Sequence, residues 1–214
     1  SNTLISCEMI SINVQSHDVV KHKSISLLGD AKVSLKLILE RINNFRISKQ
    51  YETEINRLKN LWEADVVRVT SKTDKNSLPS DSEVIGAVNR NVPKDTIVIG
   101  AAGSMPGELH KLWQSGDVEG YHMEYGFSCM GYEIPAAIGV NLAEPDRPNV
   151  IFVGDGSYMM MNSELSTAVM MGISTTIIVT DNRGFGCINR LQKSTGSEPF
   201  NNLFKDSHHQ KLPN

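Results

Sequence analysis

At 214 residues, 40% hydrophobic and 21% charged, the chain has the size and composition of one generous globular domain, or of one domain with part of another. Its formal net charge of −3 gives no general attraction to nucleic acid or an anionic membrane, and no apolar run approaches the roughly 20 residues that a membrane helix needs. Three widely spaced cysteines, Cys7, Cys129 and Cys187, form no Cys-x-x-Cys pair. They exclude a disulfide framework and a structural zinc site, and the expected setting is reducing, soluble and cytoplasmic.

Residues 8–15 (EMISINVQ) alternate apolar and polar as a strand does, and 24–30 (SISLLGD) predict a second, shorter strand. Val33, Leu37, Ile38 and Ile42 then recur at helical spacing over 30–45, behind Asp30 as a candidate N-cap. Residues 51–65 (YETEINRLKNLWEAD) read as a charged amphipathic helix. The polar stretch 69–83, with Pro79 among serines, aspartates and lysines, is where a connector is expected. The expected division is therefore a first unit over 1–65, a linker over 66–80 and a second unit over 81–214.

The second unit opens with a helix (DSEVIGAVNRNV), followed over 95–113 by a short strand, a small-residue turn and a helix. Residues 131–156 repeat the alternation as helix, turn, strand and glycine turn, and STTIIVTDN adds a further strand. Strands alternating with helical patterns predict an α/β fold, a parallel sheet flanked by helices. The first unit offers two strands and the second about three, too few to bury both faces of such a sheet. A fragment of a longer chain is expected, with domain swapping or a partner subunit as alternative sources of strands.

The chemistry concentrates in residues 152–186, FVGDGSYMMMNSELSTAVMMGISTTIIVTDNRGFG. In open α/β sheets ligands bind outside the carboxyl ends of the strands, and Asp155 and Asn182 fall at two successive strand ends. A carboxylate and an amide oxygen are hard ligands that suit Mg²⁺, which also accepts phosphate oxygens and water. Gly154 and Gly156 allow a sharp turn and leave amides uncovered for an anion, Ser157 adds a hydroxyl, and a helix N-terminus favours negative charge. A lone Gly-Asp-Gly is ordinarily a turn, and Asp-Asn commonly ends a strand. Their conjunction across one strand–helix–strand crossover, with Gly184 and Gly186 following, predicts a cradle for a magnesium-bound diphosphate.

The same stretch resembles the thiamine-diphosphate motif, Gly-Asp-Gly followed some 25–30 residues later by Asn. Residues 126–145 (GFSCMGYEIPAAIGVNLAEP) resemble the segment that precedes it in acetolactate synthase and its relatives. The resemblance implies that Asp155, the Asn182 side chain and the Gly184 carbonyl bind Mg²⁺, and that Ser104 and Met105 touch the diphosphate. It implies further that Met130 wedges between the two rings of the cofactor and holds it bent, a proximity effect, while the Ser128 carbonyl orients the amino group. By composition alone Met130 reads as a core methionine. Asp181 stands where the family often has Asn.

Residues 101–113, 120–139 and 181–192 resemble, more narrowly, ring-opening hydrolases of inositol catabolism, and the first 45 residues resemble the end of a central domain in such enzymes. The implied activity is hydrolytic C–C cleavage of a cyclic dione with thiamine diphosphate and Mg²⁺, in a homodimer or homotetramer. A carboligase of the acetolactate synthase type and a non-catalytic phosphate-binding module are the alternatives. In this family an activating glutamate comes from another domain, usually of the partner subunit. Neither Glu124 nor Glu133 matches its position, so the chain alone is expected to be inactive.

The remaining polar residues read more simply. Cys129 and Cys187 are expected as small buried side chains, and Met159, Met160 and Met161 as adaptable packing at a helix entrance. His122 and Glu124 are expected in structural or interface roles ahead of substrate contact. Arg190 and Gln192 are further substrate-side candidates. His208 and His209 are expected to be solvated, and Glu164 to favour a helix start.

Overall fold

The structure, a computed structural model, describes residues 8–204 apart from 73 and 75; Cys7 and the His208-His209 pair lie outside the described residues. The chain divides into two compact units, residues 1–59 and 60–214. Among the described residues no helix is long and apolar enough to cross a membrane.

In the first unit, β1 (Ile10–Asn13) and β2 (Ile25–Leu28) pair in parallel, with Ile10 opposite Ile25 and Leu28 opposite Asn13. The short helix α1 (Ser16–Val19) lies between them in sequence, and α2 (Ala31–Arg41) follows. Asp30 caps α2 by accepting the Val33 N–H at 2.9 Å, as its position before the periodic run predicts. Two strands bury little: among the unit's described residues Val19 is the buried apolar one, while Ile25, Leu28, Val33, Leu35 and Leu39 are all more than half exposed.

Helix α3 (Lys49–Thr70) is longer than the 51–65 expected and runs into the stretch expected as a linker; the division between units falls inside it. Its last turn joins the second unit's core through Val66, with Thr70 also buried. A capping box, Ser80 with Glu83, starts α4 (Asp81–Asn91).

The second unit is built on four parallel strands: β3 (Ile97–Gly100), β4 (Tyr121–Met123), β5 (Asn149–Gly154) and β6 (Thr176–Thr180), in the order β4-β3-β5-β6. Helix α5 (Ser104–Leu112) follows β3, and α6 (Glu133–Ala143) lies between β4 and β5. Then come α7 (Asp155–Met161), α8 (Glu164–Met170) and, after β6, α9 (Gly186–Ser194). The sequence predicts about three strands here; the fourth, β4, is a three-residue edge strand between Gly120 and Glu124, too short to show an alternation.

Side chains alternate across β5, so its unbroken apolar run feeds two cores. Val150 and Phe152 pack with Val98, Ile85, Leu109 and Leu112 on one face. Ile151 and Val153 pack with Ile97, Ile99, Ile134 and Tyr158 on the other. From β3 the chain steps outward to β4, then crosses back to β5 on the opposite side of β3. The reversal opens a crevice at the carboxyl ends of β3 and β5, where doubly wound sheets bind ligands.

Candidate functional site

Gly154 and Thr180 are register partners, so β5 and β6 end level with one another. Asp155 begins α7 directly, with no intervening turn, and is fully buried. Its Oδ2 accepts the Gly184 N–H at 2.9 Å, which draws the loop after β6 onto the tip of β5. Burial pushes the Asp155 carboxyl upward; the N–H groups of Gly184 and Gly156 oppose this, and the neighbouring Asp181 carboxylate adds to it. Asp181 itself accepts the Arg183 N–H at 2.9 Å.

The loop that carries Asn182 and Gly184 is clipped from outside. Gly184 bridges Leu203, the Phe185 N–H donates to the Asn202 carbonyl at 2.9 Å, and the Phe204 N–H donates to the Arg183 carbonyl at 2.8 Å. Gly184 adopts φ +139°, and a Cβ there would collide with the Asn202 carbonyl, so glycine is required twice over. A Cβ on Gly156 would stand 2.7 Å from the Phe185 ring and 3.4 Å from the Gly184 carbonyl oxygen, so the two motif halves touch through a glycine. Gln192 is committed to this clip, accepting the Phe200 N–H at 2.9 Å and the Asn202 amide at 2.5 Å.

A second loop, 124–131, forms the facing wall. The Glu124 carboxylate accepts the N–H groups of Phe127 at 2.8 Å and Cys129 at 2.7 Å, and those bonds hold its carboxyl below the usual range. Glu124 thus shapes the loop. His122 pairs with the Tyr132 hydroxyl at 2.7 Å, with the two rings stacked 5.8 Å apart. Ser128 takes a left-handed φ of +54°. Met130 is half-buried and belongs to neither core.

These walls enclose a cavity of about 220 Å³. Of the sequence-predicted residues, Ser104 and Met105 line it from the start of α5, Ser128 and Met130 from the 124–131 loop, and Gly154, Gly156 and Ser157 from the β5–α7 junction. Asn182 and Gly184 complete the lining from the loop after β6, with Asp155 buried beside them. Asn182 lies against Gly186, where a Cβ would meet its amide nitrogen at 2.9 Å. The Ser157 hydroxyl is already engaged, donating to Glu133 at 2.9 Å and accepting the Gly131 N–H at 2.7 Å.

Sequence reasoning gives neither of two acids here a place at the site: Asp81 goes unremarked and Glu133 is set aside as an activating glutamate. Asp81 lines the cavity from the first turn of α4, and burial pushes its carboxyl up while Arg190 opposes the rise. Glu133 is 1% exposed, an acid directly ahead of the apolar run IPAAIG, and its place at the head of a buried helix was the available signal. The expected burial of the cysteines is corrected: Cys129 is exposed on the 124–131 loop, and Cys187 is half-buried at the cavity wall. Met159 and Met160 are largely exposed on α7.

The family model "Thiamine pyrophosphate enzyme, C-terminal TPP binding domain" matches residues 101–212, which contain every one of these walls except Asp81. The chain is 39% identical to a 3D-(3,5/4)-trihydroxycyclohexane-1,2-dione hydrolase of Clostridium tetani, over 92% of this chain and 34% of the relative. Proteins of the same name from Geobacillus thermodenitrificans and Clostridium perfringens are each 37% identical, over 94% and 88% of this chain. The chain spans about a third of the length of these curated relatives. With its matched segment covering all three loops that meet at the cavity, the chain belongs to the thiamine pyrophosphate enzyme family, through the C-terminal TPP binding domain.

Proposed function

We propose that this chain provides the thiamine diphosphate and Mg²⁺ anchor of an enzyme that hydrolytically opens the ring of a trihydroxycyclohexane-1,2-dione. The observation that carries this reading is the convergence of nine sequence-predicted residues on one cavity, with Asp155 buried at its edge.

The donor set suits a magnesium-bound diphosphate. Asp155, the Asn182 side chain and the Gly184 carbonyl offer one anionic and two neutral hard oxygens, the class Mg²⁺ selects. Asp155 sits where burial penalises its charge, and a divalent cation would offset that penalty. Main-chain N–H groups at Gly156, Ser157 and the first turn of α5 would face the diphosphate oxygens. Since the Ser157 hydroxyl is engaged with Glu133, its contribution to an anion would come from the main chain.

Met130 and Ser128 would meet the ring end of the cofactor. The cavity's roughly 220 Å³ is smaller than the ~300–1,000 Å³ of typical cofactor pockets, so this chain's walls would hold part of the molecule. When bound, thiamine diphosphate would supply a nucleophilic carbanion and, in its cationic ring, an electron sink for breaking a C–C bond beside a carbonyl. The residues of this chain bind the diphosphate, fix the metal and set the orientation of the rings; Mg²⁺ would act as a template.

The substrate is that named for the similar hydrolases. Its test is product analysis on the complete gene product with thiamine diphosphate and Mg²⁺. Formation of 5-deoxyglucuronate from the cyclic dione is the expected outcome. Acetolactate from pyruvate, with the dione untouched, would overturn it in favour of a carboligase.

A further inference from the structure

Glu133 is among the largest fully buried side chains, yet it stands at the start of α6, and its side-chain hydrogen-bond partner is a hydroxyl, Ser157, where a buried acid ordinarily meets a cation. Both of its carboxylate oxygens lie 2.9 Å from the Ser157 hydroxyl. That hydroxyl in turn accepts the Gly131 N–H at 2.7 Å. Burial pushes the Glu133 carboxyl upward, opposed by its own N–H, the Ser157 hydroxyl and the main-chain N–H groups of Gly131 and Ala102. Three strand-end segments therefore meet at one acid: the turn after β3 through Ala102, the 124–131 loop through Gly131, and α7 through Ser157. Ala102, Met130 and Ser157 each line the cavity.

We propose that Glu133 is a positioning residue, holding the Met130 loop in register with the β5–α7 cradle through the Ser157 hydroxyl. Its role rests on the cofactor reading above, but it is distinct from any ligand role, since Glu133 does not line the cavity. A carboxylate fits because the groups around it are donors and an acid offers acceptors on both oxygens. An amide of the same shape turns one acceptor into an NH₂ donor. Glu133→Gln would therefore set donor against donor at one of the three segments and loosen the loop relative to the cradle.

The test compares wild type, Glu133→Gln, Ser157→Ala and the double variant, each titrated with thiamine diphosphate at saturating Mg²⁺. Either single change is expected to weaken binding by about 10–100-fold, the usual effect of removing an orienting partner, and the double variant to be no weaker than the worse single. Circular dichroism of the bound cofactor rings, taken at saturation, is expected to change in Glu133→Gln, a readout that a uniform loss of stability does not move. Wild-type affinity in Glu133→Gln, or fully additive losses, would overturn the proposal. Should Glu133→Gln not fold, Ser157→Ala removes the same link without exchanging the acid, and an unchanged ring signal and affinity there is the contrary result. If wild type binds no thiamine diphosphate, the cofactor reading fails separately. Amide exchange at 101–104 and 128–131 in the ligand-free protein then decides: faster in Glu133→Gln supports the role, and unchanged rates exclude it.

Discussion

Asp155 combines a buried carboxylate with a nearby second acid, Asp181, and both features raise its folded-state pKa above the ordinary carboxylate value. A raised acid stabilises the fold fully below the unfolded value near 3.8, and that contribution is lost as pH rises through the folded value. Asp155→Asn keeps an acceptor for the Gly184 N–H and removes the titration. In metal-free buffer it is therefore expected to raise the melting temperature at neutral pH by a few degrees, ~1 kcal/mol being worth about 2–4 °C at this size. The gain should vanish as pH falls toward 3.8, and the variant should lose any stabilisation by Mg²⁺. A gain that grew on acidification would contradict the assignment, and thermal scans across pH with and without Mg²⁺ decide it. Asp155 and Asn182 stood out in the sequence only in conjunction, since each alone is ordinary turn chemistry and it is their pairing across one crossover, with glycines beside both, that points to a shared site. Glu133 and Asp81 did not stand out, because each is in the first turn of a helix, where acids are common. The burial of Cys129 was misjudged because it lies on the 124–131 loop, away from any packed face, and that of Cys187 because it lies in the first turn of α9 at the wall of an open cavity.

Strand β5 carries both cores and ends in the site, so its packing sets the position of Asp155. Phe152 is fully buried and meets Trp113 edge-on with ring centroids 6.0 Å apart. Phe152→Ala is expected to cost about 3–5 kcal/mol, read from urea denaturation, because the close-packed face leaves a cavity that cannot fully collapse. A loss under about 1 kcal/mol would mean that this face is not the core. The apolar runs of β3 and β5 and the α/β alternation were visible in the sequence because buried parallel strands are continuous and bounded by glycine and polar turns, and the half-exposed β6 was visible by its β-branched run. Strand β4 was not, since three half-buried residues carry no period. The end of α3 was also missed: Val66 and Thr70 extend the helix because they are buried against the second unit's core, a tertiary gain that local polarity does not show.

Taken whole, the second unit places the end of every strand except the edge strand β4 directly beside one cavity, and the loop after β4 supplies the facing wall. The chain spans about a third of its relatives' length, and the apolar surface exposed on the first unit's two strands is what a sheet with too few strands leaves uncovered. The family membership rests on residues 101–212, and the proposed metal site on the donor set at the tips of β5 and β6. Calorimetric titration of thiamine diphosphate into the protein, with Mg²⁺, without it, and with Asp155→Ala, tests that metal-dependent anchor most directly. Saturable binding with Mg²⁺ alone is predicted, the other two conditions being weaker by at least the roughly 10–100-fold that losing a supporting residue costs a metal site. Equal affinity in all three would contradict it.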